Sequence, residues 1–196
     1  TKIPMKLMEE GYSDEAIASY MKETYFATDE KIQLSIDIAK REKELLSKID
    51  YENGYSLYIG IPFCPSTCLY CSFTSYPLAV WSKKVDAYLD ALEKEIDFTA
   101  QKFYRKKLNS IYIGGGTPTT LNAQQLDRLI RKIKCSFDLQ HCVEFTVEAG
   151  RPDSISREKL EVLRKHNIDR ISINPQTMKQ ETLDLIGRRH TVEQIR

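Results

Sequence analysis

From Ser56 onward the sequence alternates short apolar runs with longer helical patterns, and this alternation limits what the chain can fold into. Strands are expected over 57–63, 110–114, 143–149 and 170–175, and helices over 82–105, 123–134, 156–166 and 179–186. A further helix is expected from Thr191, whose Thr-x-x-Gln reach to Gln194 fits a capping box. Four strands separated by helices require a parallel sheet with right-handed crossovers. Side chains alternate faces along a strand. Leu57, Ile59, Ile61 and Phe63, then Ile111 and Ile113, Val143, Phe145 and Val147, and Ile171 and Ile173 make one aliphatic face that can take the helices. The other face carries Tyr58, Gly60, Tyr112, Gly114, Glu144, Thr146, Glu148, Ser172 and Asn174. An open doubly wound sheet is apolar on both faces. A polar second face suits part of a barrel around a polar ligand, or a one-layer α/β sheet with a wet face.

The first strand runs into Cys64-Pro65-Ser66-Thr67-Cys68-Leu69-Tyr70-Cys71, a C-x3-C-x2-C loop at a strand's C-terminal end. That is where α/β folds build active sites. Three close thiolates suit an iron–sulfur cluster with one iron left open. Structural zinc is the alternative, but it normally takes four Cys or His ligands, and the nearest histidine in sequence is His141. A disulfide framework fits neither the loop nor a chain without an export signal. Cys135 and Cys142 have no partner spacing and read as buried thiols. His166 and His190 stand next to helix ends, where capping explains them at least as well as catalysis.

The second strand ends in Gly114-Gly115-Gly116-Thr117-Pro118, which has neither the ending of a P-loop nor the spacing of a dinucleotide fingerprint. Such glycines let a backbone approach a ligand closely and present its N–H and C=O groups. Glu148 is placed at the end of the third strand, on the polar face. A carboxylate there needs a partner, either a ligand or a lysine or arginine.

The cysteine spacing, with Tyr70 before the last cysteine, resembles the signature of the radical S-adenosylmethionine (SAM) enzymes. The longer string from Tyr58 to Phe73, with Ile61-Pro62-Phe63-Cys64 and Tyr70-Cys71-Ser72-Phe73, resembles the oxygen-independent coproporphyrinogen III oxidase (dehydrogenase) family, in particular its HemZ-type branch. The resemblance implies an α/β fold: a radical-SAM (β/α)6-type barrel of which residues 55–196 supply about four βα units, so that the chain reads as a fragment. It implies that Cys64, Cys68 and Cys71 ligate a [4Fe–4S] cluster. It implies that Gly115, Gly116 and Thr117, in a GGGTP motif, together with Glu148, Gln176 and Arg188, bind SAM. Tyr58 would support the cofactor near the cluster, and Tyr70 could lie against a second SAM. No catalytic side chain is assigned.

The activity so implied starts with one-electron cleavage of SAM to methionine and a 5′-deoxyadenosyl radical. That radical takes hydrogen from a propionate of coproporphyrinogen III. Loss of carbon dioxide and an electron leaves a vinyl group, and two rounds give protoporphyrinogen IX in anaerobic haem biosynthesis. The implied partners are a porphyrinogen substrate and a one-electron donor such as flavodoxin or ferredoxin. A haem-trafficking relative that keeps the cluster motif but lacks dehydrogenase activity is the alternative, and a zinc-stabilised interaction module is a third. One departure is visible: Ser72-Phe73 follow the third cysteine where the best-known members have Gly-Cys.

Charge excludes some classes. With 29 basic and 28 acidic residues in 196, the chain has no electrostatic footprint for nucleic acid. No apolar run is long enough to span a membrane. The start, Thr1-Lys2-Ile3-Pro4, is neither a signal peptide nor an initiator methionine, and five cysteines without an export signal point to a reducing cytoplasm. Residues 1–50 read as a small helical segment. Ser13 and Thr28 are its caps, and Ile17, Tyr20, Met21, Ile32, Leu34, Ile36, Ile38, Ala39, Leu45 and Leu46 are its apolar positions.

Overall fold

The computed structural model describes residues 1–195, which fall into two compact units, Thr1–Glu52 and a second beginning at Asn53. The first unit holds three helices, α1 (Lys2–Glu9), α2 (Asp14–Tyr25) and α3 (Asp29–Leu46). Ser13 accepts from the Ala16 N–H and Thr28 from the Lys31 N–H, so both expected caps satisfy orphan donors of a first turn. Ile17, Met21, Ile32 and Ile36 form the core of this unit, with Ile3, Leu7 and Met8 packed against it. The apolar stripe is narrower than the sequence suggests. Tyr20, Leu34, Ile38 and Leu45 are exposed. At 100° per residue, Leu34 and Ile38 fall on the far side of α3 from Ile32, Ile36 and Ala39.

The second unit opens with β1 (Tyr55–Ile61), then β2 (Phe63–Cys64), β3 (Tyr76–Pro77) and the short α4 (Leu78–Trp81). There follow α5 (Val85–Phe103), β4 (Leu108–Gly115), α6 (Ala123–Ser136), β5 (Glu144–Glu148), α7 (Arg157–Lys165), β6 (Arg170–Ser172) and α8 (Gln180–Leu185). Strands β1, β4, β5 and β6 make one sheet in that order, every pair parallel. The expected first strand, 57–63, breaks after Ile61. Pro62 has no N–H to give the ladder, and Phe63–Cys64 pair instead with Tyr76–Pro77. The helix expected from Thr191 is a single 3-10 turn, Glu193–Ile195. Its start is nonetheless capped as the motif implies, with Thr191 N–H on Gln194 Oε1 and Gln194 N–H on Thr191 Oγ1.

Register puts like residues in rows across the sheet. Ile59 faces Ile113, Ile113 faces Val147, and Val147 faces Ile171. This row lies on the helix side, under Val85, Leu89, Leu92 and Ile96 of α5 and Leu126, Leu129, Ile130 and Ile133 of α6. Those spacings of three and four are the buried stripe of an amphipathic helix. The α6 start is held by a full capping box between Asn122 and Gln125. Arg128 of α6 reaches both Asp90 and Glu93 of α5, and Lys132 reaches Asp97, lacing the outer edge of the helix pair.

The expected fourth strand, 170–175, is cut to Arg170–Ser172, and the aliphatic face fades there: Ile171 in β6 and Ile173 just past it are exposed, as is Val143, just before β5. Cys135 is exposed on α6 rather than buried, because the 3.6 period that buries Ile130 and Ile133 turns it outward. Cys142 is half-buried, its thiol donating to the Glu144 carbonyl.

Candidate functional site

The opposite face of the sheet is built from the alternate residues. Tyr58, Tyr112, Thr146 and Arg170 occupy one row. The Tyr58 and Tyr112 rings stack, with centroids 5.8 Å apart. Arg170 ties to Glu144 and Thr146, so the row is cross-linked by polar contacts. Among the described residues the partner of Glu148 is the Tyr112 hydroxyl, not a lysine or arginine. Burial, followed by this hydrogen bond, pushes the Tyr112 phenol up to about 12. Burial, then the Glu148 charge, raises Tyr58 as well. Both tyrosines therefore stay protonated donors beside the carboxylate at neutral pH.

Gly114 lies where these groups converge. A Cβ there would stand 2.7 Å from the Tyr112 ring, 2.9 Å from the Tyr58 hydroxyl and 3.0 Å from Glu148 Oε2. The next two glycines serve a different contact. Gly115 has φ +109°, and a Cβ on Gly116 would lie 2.7 Å from the Phe63 carbonyl oxygen and 3.0 Å from Cys64 Sγ. Their lack of side chains lets β4 pass against the segment that carries the first cysteine. The N–H groups of Gly116 and Thr117 donate to the carbonyls of Ile61 and Phe63, at 2.8 Å each. They are thus spent within the protein, whereas the sequence suggested N–H groups offered to a ligand. Thr117 Oγ1 is 3.5 Å from Cys64 Sγ and both side chains are buried.

The cysteine loop is anchored at several points. The Cys71 N–H donates to the Cys68 carbonyl, which closes the second half of the motif into a turn. The Leu69 N–H donates to the Ile186 carbonyl and Ser66 Oγ to the Gly187 carbonyl, docking the loop on the end of α8. Gly187 takes φ +76° there, a left-handed C-terminal position that favours glycine.

One half-open cavity gathers Cys64, Cys68 and Cys71 with Tyr70, Gly115, Gly116, Thr117, Glu148, Gln176 and Arg188. Of the side chains expected at the site, Tyr58 alone is not in this lining. It stands beside it, its hydroxyl over Gly114. Gln176 holds a left-handed backbone, φ +68°, uncommon for a residue other than glycine, at the cavity wall. Arg188 is buried. Its Nη1 donates to the Gly150 and Asn174 carbonyls, while its Nε has no partner among the described residues. A buried guanidinium with a donor to spare suits an anionic ligand.

Sequence reasoning missed Arg151 and placed Asn174 on the polar face without assigning it to the site; both line the same cavity. Both stand just past strand ends, as site residues do in such folds, but a lone arginine or asparagine there carries little signal. His190, expected near a helix end, lies past the end of α8. It is fully buried, and burial lowers its pKa while the Pro175 backbone raises it. His166 Nε2 lies 2.8 Å from Asp127 Oδ1, a bridge between α7 and α6. That contact, ahead of Lys165 and Arg131, holds the Asp127 carboxyl down at about 2.

Among the described residues, no three His, Cys, Asp or Glu side chains converge on a point that could hold a single metal ion.

A model of the Radical SAM superfamily matches residues 58–196. The oxygen-independent coproporphyrinogen-III oxidase-like protein HemZ of Bacillus subtilis is 42% identical over 198 residues, covering 99% of this chain and 40% of its own length. The heme chaperone HemW of the same organism is 45% identical over 139 residues, 69% of this chain and 35% of its own. The oxygen-independent coproporphyrinogen III oxidase of Escherichia coli is 34% identical over 142 residues, 72% of this chain and 31% of its own. Among solved structures, the radical SAM enzyme HemN, coproporphyrinogen III oxidase of Escherichia coli, superposes with a TM-score of 0.66 at 32% identity. That match covers 78% of this chain and 35% of the HemN chain. The chain thus spans two fifths or less of the length of these relatives.

Proposed function

The chain belongs to the radical SAM superfamily, whose members use a [4Fe–4S] cluster and S-adenosylmethionine, and from that premise we propose that its cysteine rim is the cluster-and-SAM site of an oxygen-independent coproporphyrinogen III dehydrogenase. When bound, the cluster and SAM together supply one-electron reductive cleavage and hence radical chemistry. The protein's part is to hold, orient and seal. Cys64, Cys68 and Cys71 would hold the cluster, and Thr117 steadies the first of these sulfurs.

Arg188 and Glu148, which line the same cavity, would hold the carboxylate and the amino group of SAM respectively. Gln176 and the Gly115–Gly116 backbone shape the wall between them. Tyr112 and Tyr58 flank Glu148 from the sheet side, and both phenols stay protonated beside it. Tyr70, half-exposed at the cavity mouth, packs against what enters there.

For the substrate, the supporting observation is coverage. Similarity to the oxidase-like HemZ runs over 99% of the chain and takes in the three-helix unit, whereas similarity to the HemW chaperone takes in 69%. A porphyrinogen propionate is accordingly the group to be oxidised, and a one-electron donor such as flavodoxin or ferredoxin feeds the cluster. The 45% identity to HemW within the shared region favours a second reading, haem transfer without decarboxylation. Anaerobic incubation of the complete, reconstituted protein with SAM, a reductant and coproporphyrinogen III decides between them. Vinyl product is expected; stable haem transfer with no product would replace the dehydrogenase reading by the chaperone one.

A further inference from the structure

Arg151 lies three residues past Glu148, at the rim, and is 3% exposed. Its guanidinium makes a two-pronged pair with Asp153, Nε to Oδ1 at 3.0 Å and Nη2 to Oδ2 at 2.8 Å. The remaining edge turns to the cysteine loop. Nη1 donates to the Ser66 carbonyl at 3.1 Å, lies 3.3 Å from Ser66 Oγ, and stands 3.6 Å from Cys68 Sγ. Nη2 also reaches Ser66 Oγ, at 3.2 Å. If the pair with Asp153 were only a structural clasp, nothing would require the other edge to meet a sulfur 83 residues away in sequence. Arginine keeps its charge at all relevant pH, and a buried guanidinium acts through a low dielectric. Cluster potentials respond to net charge and to hydrogen bonds on the ligating sulfurs.

We propose that Arg151 is a positioning residue that also sets the potential of the cluster: its guanidinium donates to the Cys68 sulfur and favours the reduced state, and Asp153 moderates that charge. This rests on the reading of Cys64, Cys68 and Cys71 as cluster ligands. Adding an electron makes the cluster more negative, so a cation at one ligand raises its potential. Removing the cation lowers the potential. Removing the carboxylate that offsets the cation raises it. The two partners of one ion pair therefore have opposite effects, which a loosened loop cannot imitate.

The test is a redox titration, followed by electron paramagnetic resonance, of the complete protein after anaerobic reconstitution. Iron and sulfide are counted first. Arg151→Gln should lower the reduced-to-oxidised ratio at a fixed potential about tenfold, a negative shift of about 59 mV for one electron. Arg151→Lys should restore most of it, and Asp153→Asn should shift the potential positive. Equal potentials in wild type and Arg151→Gln overturn the proposal, as do shifts of Arg151→Gln and Asp153→Asn in the same direction. If Arg151→Gln fails to fold or to hold a cluster, Asp153→Asn decides alone: a positive shift supports the proposal, and no shift or a negative one overturns it. Wild-type protein that takes up no iron and sulfide fails at the counting step; it overturns the ligand reading, and this proposal with it.

Discussion

The two faces of one sheet are made by the same strands and differ only in which alternate residues they show. On one face, Ile59, Ile113 and Val147 are sealed under α5 and α6. On the other, Tyr58, Tyr112, Thr146 and Arg170 form a polar row held by a ring stack and polar contacts. The first face is held by apolar area removed from water, which is non-directional and tolerant. The second is held by a few directed contacts around Glu148 and the glycine run, where a single atom decides the outcome. Stability and chemistry are thus divided between the faces, and the strand ends, where cysteines, glycines and strand-end side chains meet, belong to the second.

That division can be broken by substitution. Ile113→Ala, at a fully buried position, should cost about 2–5 kcal/mol of unfolding free energy in denaturant titration. Tyr112→Phe, its neighbour on the other face, removes one hydrogen bond and should cost about 0.5–1.5 kcal/mol. Equal costs would erase the contrast. Gly116→Ala places a methyl 2.7 Å from the Phe63 carbonyl and 3.0 Å from Cys64 Sγ. It should cost about 1–3 kcal/mol and reduce the iron retained after reconstitution; full iron content would mean that the glycine contact does not position the cysteine. Asn122→Ala removes the capping box of α6 and should cost about 1 kcal/mol while leaving iron content unchanged.

The smallest effect is electrostatic. Because the folded-state pKa of Tyr112 is raised from 10.0 to about 12, its contribution to stability is complete below pH 10 and disappears as pH rises towards about 12. Glu148→Gln removes the carboxylate and should move the Tyr112 phenol back down in an ultraviolet titration. An unmoved phenol would mean that burial alone raises it.

Much of this was legible in the sequence because it depends on periodicity. The two-residue period separated Ile111 and Ile113 from Tyr112, and the C-x3-C-x2-C spacing marked the loop before any coordinates. What failed to show depends on long-range packing. Pro62 ended the strand earlier than the apolar run suggested. The aliphatic period continued through Ile171 and Ile173, yet the edge strand leaves them exposed. Cys135 was read as buried from its type alone, although the helical period of Leu126, Leu129, Ile130 and Ile133 already turns it outward. The glycines were read for what they offer a ligand; that Gly115 and Gly116 also pack against the backbone presenting Cys64 depends on a contact distant in sequence. Arg151 was not read at all, because its meaning comes from Cys68 and Ser66, more than eighty residues earlier.

The central claim is that the polar rim presents three thiolates to one cluster. Iron and acid-labile sulfide counting after anaerobic reconstitution of wild type and Cys68→Ala tests it most directly. The account predicts brown wild-type protein with about four irons per chain and loss of the cluster in Cys68→Ala. Colourless protein carrying zinc, or a Cys68→Ala variant that keeps its full iron, would contradict it.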